Sequence, residues 1–319
     1  MRGIFRVAAL SGLALATGIS GAAGAQAPAP QAAAKPTAPA GMSADIAATL
    51  REIGAKIEAQ RTTALYAPLH AALNHDGVQV RRDEVYGPDE RHRANVFTAK
   101  GATGARPILM FVYGGGFARG TKSSPSQFAY DNIGYWAAEH GLVGVVMDYR
   151  LAPEFQYPSG ADDVARAVQW LREHAREFGG DPERIFLWGH SAGGAHVADY
   201  LVRSQKPAVA GAVILSGVLQ AGPTWKSYFG EDASRYADMS ALPKLFKVPV
   251  PLLVAWAELD PPDFVPETEQ LVAGRKAAGT PTVALHLPNH SHLSEAYAVG
   301  TSDELLSGAI LQFITAPPR

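Results

Sequence analysis

Six short, nearly continuous apolar runs separated by helical stretches constrain the fold most: residues 108–113, 142–149, 185–188, 210–215, 252–256 and 283–287. Strands buried on both faces of a parallel sheet read this way, because neither face has to meet water. Between the second and third runs lies a helix. Val164, Val168, Leu171, Ala175 and Phe178 form its stripe, Ser159 stands at its cap, and Asp162 and Asp163 fall in its first turn. Arg172, His174 and Arg176 occupy its last turns, and Gly179-Gly180 stops it. That pattern suits the helix dipole at both ends, so His174 is expected to be a solvated dipole partner and not a ligand. A second amphipathic helix is predicted over 303–314. Upstream, Ser43 opens a helix with Ile46, Leu50, Ile53 and Ile57 on one face, continuing loosely toward Leu69. Two alternating strands, 78–85 and 93–98, follow around a Gly87-Pro88-Asp89 turn and belong near a sheet edge. Strand and helix in alternation predict the α/β class, with a mostly parallel, doubly wound sheet.

The chain has 319 residues, of which 47% are hydrophobic and 18% charged. This suits one globular domain with a large core, expected over 43–319. A net charge of -2 with no basic run argues against a polyanion such as nucleic acid as partner. No cysteine is present, which excludes disulfides, a thiolate nucleophile and cysteine-ligated metal. Arg2 and Arg6 precede an uncharged Ala/Gly/Leu-rich stretch that ends at Ala23-Gly24-Ala25. Residues 1–25 therefore read as a secretory signal, too short in its core for a stable membrane anchor. Residues 26–42 are Ala/Pro-rich, without period, and read as a disordered linker. The expected location is secreted or periplasmic.

The third apolar run ends in Gly189-His190-Ser191-Ala192-Gly193-Gly194, and a helix is expected to follow. Two glycines and a serine at this spacing also arise by chance. Between a buried strand and a helix, however, the pattern acquires a mechanical meaning: a sharp turn lifts the serine hydroxyl above the sheet. Acyl transfer through serine needs a base, a group that orients the base, and donors for the oxyanion. Tyr113-Gly114-Gly115-Gly116-Phe117 follows the first apolar run. The N–H groups of Gly115 and Gly116, with that of Ala192, are the expected oxyanion donors. A phosphate-binding loop is disfavoured there, because no Gly-Lys-Ser/Thr follows. Past the fifth run, Glu258, Asp260 and Asp263 compete for the acid. Asp260 is favoured by its proline-fixed turn, with Glu258 second. Chain order Ser…Asp/Glu…His leaves His286, His290 and His292 as bases. His286 falls within a strand, whereas His290 and His292 lie in the loop beyond it. His292 is preferred, His290 is the alternative, and a His-x-His metal pair lacks further ligands. His190 is expected to be structural.

These residues together resemble the α/β-hydrolase carboxylesterases of the hormone-sensitive-lipase-like and related small-ester groups. The match runs through Gly114-Gly115-Gly116-Phe117, Asp148-Tyr149-Arg150-Leu151-Ala152-Pro153-Glu154, Tyr157-Pro158, Asp162-Asp163 and Gly180-Asp181-Pro182. It continues through Gly189–Gly194, Leu259-Asp260-Pro261 and His292, spanning about 108–293. The resemblance implies an α/β-hydrolase fold, hydrolysis of a small-molecule ester by Ser191, Asp260 and His292, and no cofactor. Tyr113 stands where the lipase-like pattern commonly has histidine, and His292 lacks the Gly-Phe that often follows the base. Both departures resemble the smaller-substrate branches. The insert 221–243 carries Trp225, Tyr228, Phe229 and Tyr236. With the N-terminal helix it is expected to form a small cap, so that Tyr113, Phe117, Tyr228 and Phe229 line a modest pocket for short acyl or aryl esters. The same machinery would serve a formamidase, another amidase or a peptidase. A non-catalytic binder of this fold is disfavoured because every catalytic position is filled.

Overall fold

The computed structural model describes residues 41–123 and 128–316. The expected signal segment and all but the last two residues of the linker lie outside them. Met42, assigned to the linker by composition, is instead buried with Ala47, Leu50 and Ile53.

One eight-stranded sheet is formed by β1 (Val78–Val85), β2 (Arg93–Ala99), β3 (Arg106–Val112), β4 (Val143–Met147), β5 (Gly180–His190), β6 (Gly211–Leu215), β7 (Leu252–Leu259) and β8 (Thr282–Ser291). Their order is β1-β2-β4-β3-β5-β6-β7-β8. β1 and β2 pair antiparallel, as do β2 and β4, and every pairing from β4 onward is parallel. The six apolar runs are the six parallel strands. β8 departs from the expectation of burial on both faces: Val283 is 44% exposed, and of residues 283–287 only Leu287 is buried. The reason is its place at the sheet edge, where only one neighbour covers it.

Strand order reverses at β3, because the chain moves to β4 on one side and to β5 on the other. Loops leaving the carboxyl ends of strands at such a switch point diverge and leave a crevice. Register places the loops that matter at one height. Val112 is opposite Gly189 at the ends of β3 and β5, and Leu259 is opposite Ser291 at the ends of β7 and β8.

Helices α1 (Ala44–Ile53), α2 (Ala59–Ala71), α3 (Asp131–Glu139), α4 (Ser159–His174) and α5 (Ala192–Arg203) precede the insert. The insert holds the single turns α6 (Lys226–Phe229) and α7 (Tyr236–Met239), and α8 (Leu242–Leu245) follows. Then come α9 (Phe264–Ala277), α10 (Ser294–Tyr297) and α11 (Leu305–Thr315). The predicted N-terminal helix is thus two. Gly54 ends α1 at φ 65, and Ile57 sits 47% exposed in the break. Ser43 caps α1 by accepting the Ile46 N–H at 3.2 Å. Ser159 does not cap α4; it is the first helical residue, and its buried hydroxyl has no partner among the described residues. Asp163 lies near the start of the helix, as expected, but faces the interior. It is fully buried and receives Arg150 at 2.7 Å and His92 at 2.9 Å. His174 is half-exposed beside Glu177, as its position on the surface turn predicts. The helix α3 carries no strong sequence signal and emerges only here. α1 packs on β8, with Leu50 and Ile53 near Leu259, while α2 meets α10. The insert aromatics pack on Phe117.

Candidate active site

Ser191 stands between β5 and α5 at φ 57 and ψ -123, in the left-handed region that non-glycine residues rarely occupy. Its backbone is held there. The Ser191 N–H donates to Leu215 at 3.0 Å, and its carbonyl accepts from Gly194 at 2.9 Å and Val218 at 3.2 Å. The flanking glycines are sterically required. A Cβ on Gly193 would lie 2.0 Å from the Val112 carbonyl oxygen, and one on Gly189 2.5 Å from that of Gly193. The strained turn therefore follows from close approach of β3, β5 and α5.

Asp260 and His292 leave the neighbouring strands β7 and β8 and meet across the sheet end. His292 Nδ1 lies 2.7 Å from Asp260 Oδ1, both buried. Asp260 Oδ2 accepts from the Ser216 hydroxyl at 2.5 Å and from the Ala257 N–H at 3.0 Å. Such a carboxylate fixes the imidazole with hydrogen on Nδ1 and leaves Nε2 as acceptor. His292 Nε2 is buried and has no partner among the described residues. The competing carboxylates lie elsewhere: Glu258 accepts the Asn289 N–H at 2.6 Å, and exposed Asp263 precedes α9 without a side-chain capping hydrogen bond. His290 turns away to Ser294 at 3.1 Å and Asp303 at 3.2 Å. It therefore cannot share a ligand with His292, whose Nδ1 faces Asp260.

The glycine loop begins against Ser191. A Cβ on Gly114 would sit 2.7 Å from that of Ser191. Among the described residues, the N–H groups of Gly115 and Gly116 donate to no carbonyl or side chain. Ala192 opens α5, where the N–H has no intrahelical acceptor. The Asp148-Tyr149 motif braces this loop. Asp148 accepts from the Tyr113 hydroxyl at 3.0 Å, the Lys122 N–H at 2.6 Å and the Lys122 ammonium at 3.1 Å. The Tyr149 hydroxyl donates to the Tyr113 carbonyl at 3.1 Å.

Tyr113 is therefore not a pocket residue. Its ring is wholly buried between Tyr130 and Tyr149, and its hydroxyl is held by Arg91 and Asp148. Burial, then the neighbouring Tyr149 and Asp148, raise its pKa, so it remains a neutral phenol. It replaces the expected histidine as a loop support. Phe117, Tyr228 and Phe229 are also buried. Phe117 stacks on Tyr228 at 4.4 Å, and the Tyr228 hydroxyl accepts the Gly160 N–H at 3.2 Å. They form a packed floor, not an open lining.

Sequence reasoning placed Trp225 in the cap but missed Phe264, Ser216 and Glu295. Trp225 approaches Gly116, and Phe264 packs on the His292 ring at 4.6 Å. Ser216 and Glu295 connect to Asp260. Phe264 was legible as the first residue after the acid turn; Ser216 and Glu295 had no local signal. His190 keeps the structural role expected of it: Nε2 lies 2.8 Å from the His292 carbonyl. Burial and His292 lower its pKa well below the usual range, so it is a neutral donor. One ligand-type atom from each of His190, His292 and Glu295 lies within 4.8 Å of the others. All three already have partners there: His190 Nε2 at the His292 carbonyl, His292 Nδ1 at Asp260 and Glu295 Oε2 at Ser216. A groove of about 550 Å³ between α4 and α5 contains none of these residues and is not the reaction site.

A doubly wound sheet with a serine elbow after β5, an acid after β7 and a histidine after β8 defines the α/β-hydrolase fold, and this chain has it. Comparison with known proteins gives the same class: a family model described as the α/β hydrolase fold matches residues 109–247. An isoprenylcysteine alpha-carbonyl methylesterase of Arabidopsis thaliana is 34% identical over 120 residues, 38% of this chain and 27% of that protein. Carboxylesterase NlhH of Mycobacterium tuberculosis is 41% identical over 88 residues, 28% of this chain and 26% of its own length. The chain spans about a quarter of the length of these curated relatives. Among solved structures, a bacterial heroin esterase is 26% identical with a TM-score of 0.66, covering 86% of this chain and 98% of its own. The protein thus has the α/β-hydrolase fold, and its similarity runs to esterases. No helix among the described residues is long and apolar enough to cross a membrane.

Proposed function

We propose that the protein is a serine carboxylesterase hydrolysing short-chain acyl or aryl esters through an acyl-enzyme. The observation that carries the reading is the buried Asp260–His292 pair, with His292 Nε2 unpartnered, beside a strained serine turn. Ser191 Oγ attacks the ester carbonyl carbon while His292 Nε2 takes its proton. Asp260 holds the imidazole and offsets the charge of the imidazolium. The carbonyl oxygen, now negative, is received by the N–H groups of Gly115, Gly116 and Ala192. Each such donor is worth about 3 kcal/mol in the transition state. The alcohol oxygen leaves with the proton from His292. Water, deprotonated by His292, then attacks the acyl carbon and restores Ser191. The ester similarity of the relatives supports this chemistry, and the packed aromatics around Phe117 support small acyl groups. The N-terminal pattern supports export to the periplasm or medium.

Turnover of p-nitrophenyl acetate and labelling by a fluorophosphonate probe test the reading together. Ser191→Ala is expected to abolish labelling, and Ser191→Ala and His292→Ala to lower kcat at least about 1,000-fold. His290→Ala is expected to lower the melting temperature while kcat of the folded protein stays within a few-fold. Wild-type turnover by Ser191→Ala would remove the assignment, and a larger kcat loss in His290→Ala than in His292→Ala would exchange the base.

A further inference from the structure

We infer that Glu295 is a positioning residue that keeps its carboxyl proton and donates it to the Ser216 hydroxyl, which in turn donates to Asp260. This rests on the triad reading above. The hydrogens can be counted. Ser216 Oγ owns one, and it stands 2.5 Å from Asp260 Oδ2 and 3.0 Å from Glu295 Oε2. Asp260 is otherwise met by donors, His292 at Oδ1 and the Ala257 N–H at Oδ2, as suits a carboxylate. The Ser216 hydrogen goes to the shorter contact. The 3.0 Å contact then contains a hydrogen only if Glu295 supplies it.

The surroundings of Glu295 agree. It has no exposed surface, and its Oε1 has no hydrogen-bond partner among the described residues. His190 Nε2 stands 3.2 Å from that oxygen, but its hydrogen is directed to the His292 carbonyl. An ionised carboxylate there would be buried, under-donated and beside the charge of Asp260. Burial and Asp260 both push the Glu295 carboxyl well above the usual range. The titratable groups facing it are Asp260 from the acid loop, His190 from β5 and His292 from the base loop. α2 packs on the same helix α10, but its Tyr66 and His70 meet Tyr297.

The arrangement gives Asp260 a fixed donor without a second negative charge near the base. A second carboxylate at this range would favour the imidazolium and move the working pH upward. A neutral acid orients the Ser216 hydroxyl, and through it the plane of Asp260, leaving the base free to accept.

The test uses the full chain, p-nitrophenyl acetate, and the variants Glu295→Gln, Glu295→Met, Ser216→Ala and Ser191→Ala. Melting temperature, kcat, KM and the pH profile of kcat/KM are measured for each. Gln keeps a neutral donor, so kcat stays within about three-fold and the acid limb of the profile does not move. Glu295→Met and Ser216→Ala lower kcat about ten-fold with KM nearly constant, as loss of one positioning hydrogen bond requires. A downward move of the acid limb by about a unit or more in Glu295→Gln would mean that an ionised carboxylate had been removed, which overturns the inference. Wild-type kcat in a folded Glu295→Met would overturn the positioning role. Activity persisting in Ser191→Ala would instead sink the triad reading. A silent Ser191→Ala with a moved acid limb in Glu295→Gln sinks this inference alone.

Discussion

Replacing Gly193 by alanine tests whether the elbow and the oxyanion loop are one mechanical unit. The new Cβ would sit 2.0 Å from the Val112 carbonyl oxygen and 2.5 Å from that of Tyr113. Carbon and oxygen rest at about 3.3 Å even in close contacts, so roughly 1 Å of separation has to open. Both obstacles are backbone atoms at the end of β3 and cannot rotate away. Displacing them carries Gly114, Gly115 and Gly116 with them, since these follow directly. Overpacking of this kind costs about 1–3 kcal/mol of stability, a fall of roughly 5 °C in melting temperature for a domain this size. A misplacement of about 1 Å at the reacting centre lowers rate about 100-fold. The expected result is a folded Gly193→Ala protein with kcat for p-nitrophenyl acetate down about 100-fold. Gly308→Ala is the control, because an added Cβ there meets nothing within 4 Å. Wild-type kcat in Gly193→Ala would refute the coupling between β3 and the serine turn.

Asp199 on α5 gives a pH prediction. It is 3% exposed, and burial raises its pKa from 3.8 to about 8 despite Arg203 and Lys244. A raised acid pKa means that the unfolded chain releases the proton first, so stability falls as pH rises from about 4 toward 8. Asp199→Asn removes this loss, on the order of 4 kcal/mol between pH 4 and pH 7. Urea unfolding of both proteins at the two pH values should show the variant gaining at pH 7 and matching at pH 4; equal stability at pH 7 would contradict it. For the N-terminus, the mass of protein exported from a bacterial host is expected to begin at Gln26. An intact chain beginning at Met1 in the exported fraction would contradict the signal reading.

What the sequence determined by itself was local or periodic. Short apolar runs specify strands because a doubly covered strand has no polar face, and Gly189, Ser191 and Gly193 specify a turn because nothing larger fits. Chain order then named Asp260 and His292. The sequence also failed where a residue's role depends on distant partners. Tyr113 looks like a pocket aromatic, yet Asp148, 35 positions away, and Arg91 draw its hydroxyl into the core. Ile57 continues a helical stripe, yet Gly54 turns the chain and leaves it in solvent. Glu295 carries no local signal in the sequence. Only the tertiary structure brings it to Ser216, 79 positions earlier, and excludes water from both. Burial and hydrogen-bond partnership belong to the folded neighbourhood. They are set by which strand ends share a height in the sheet, and no residue carries that information alone.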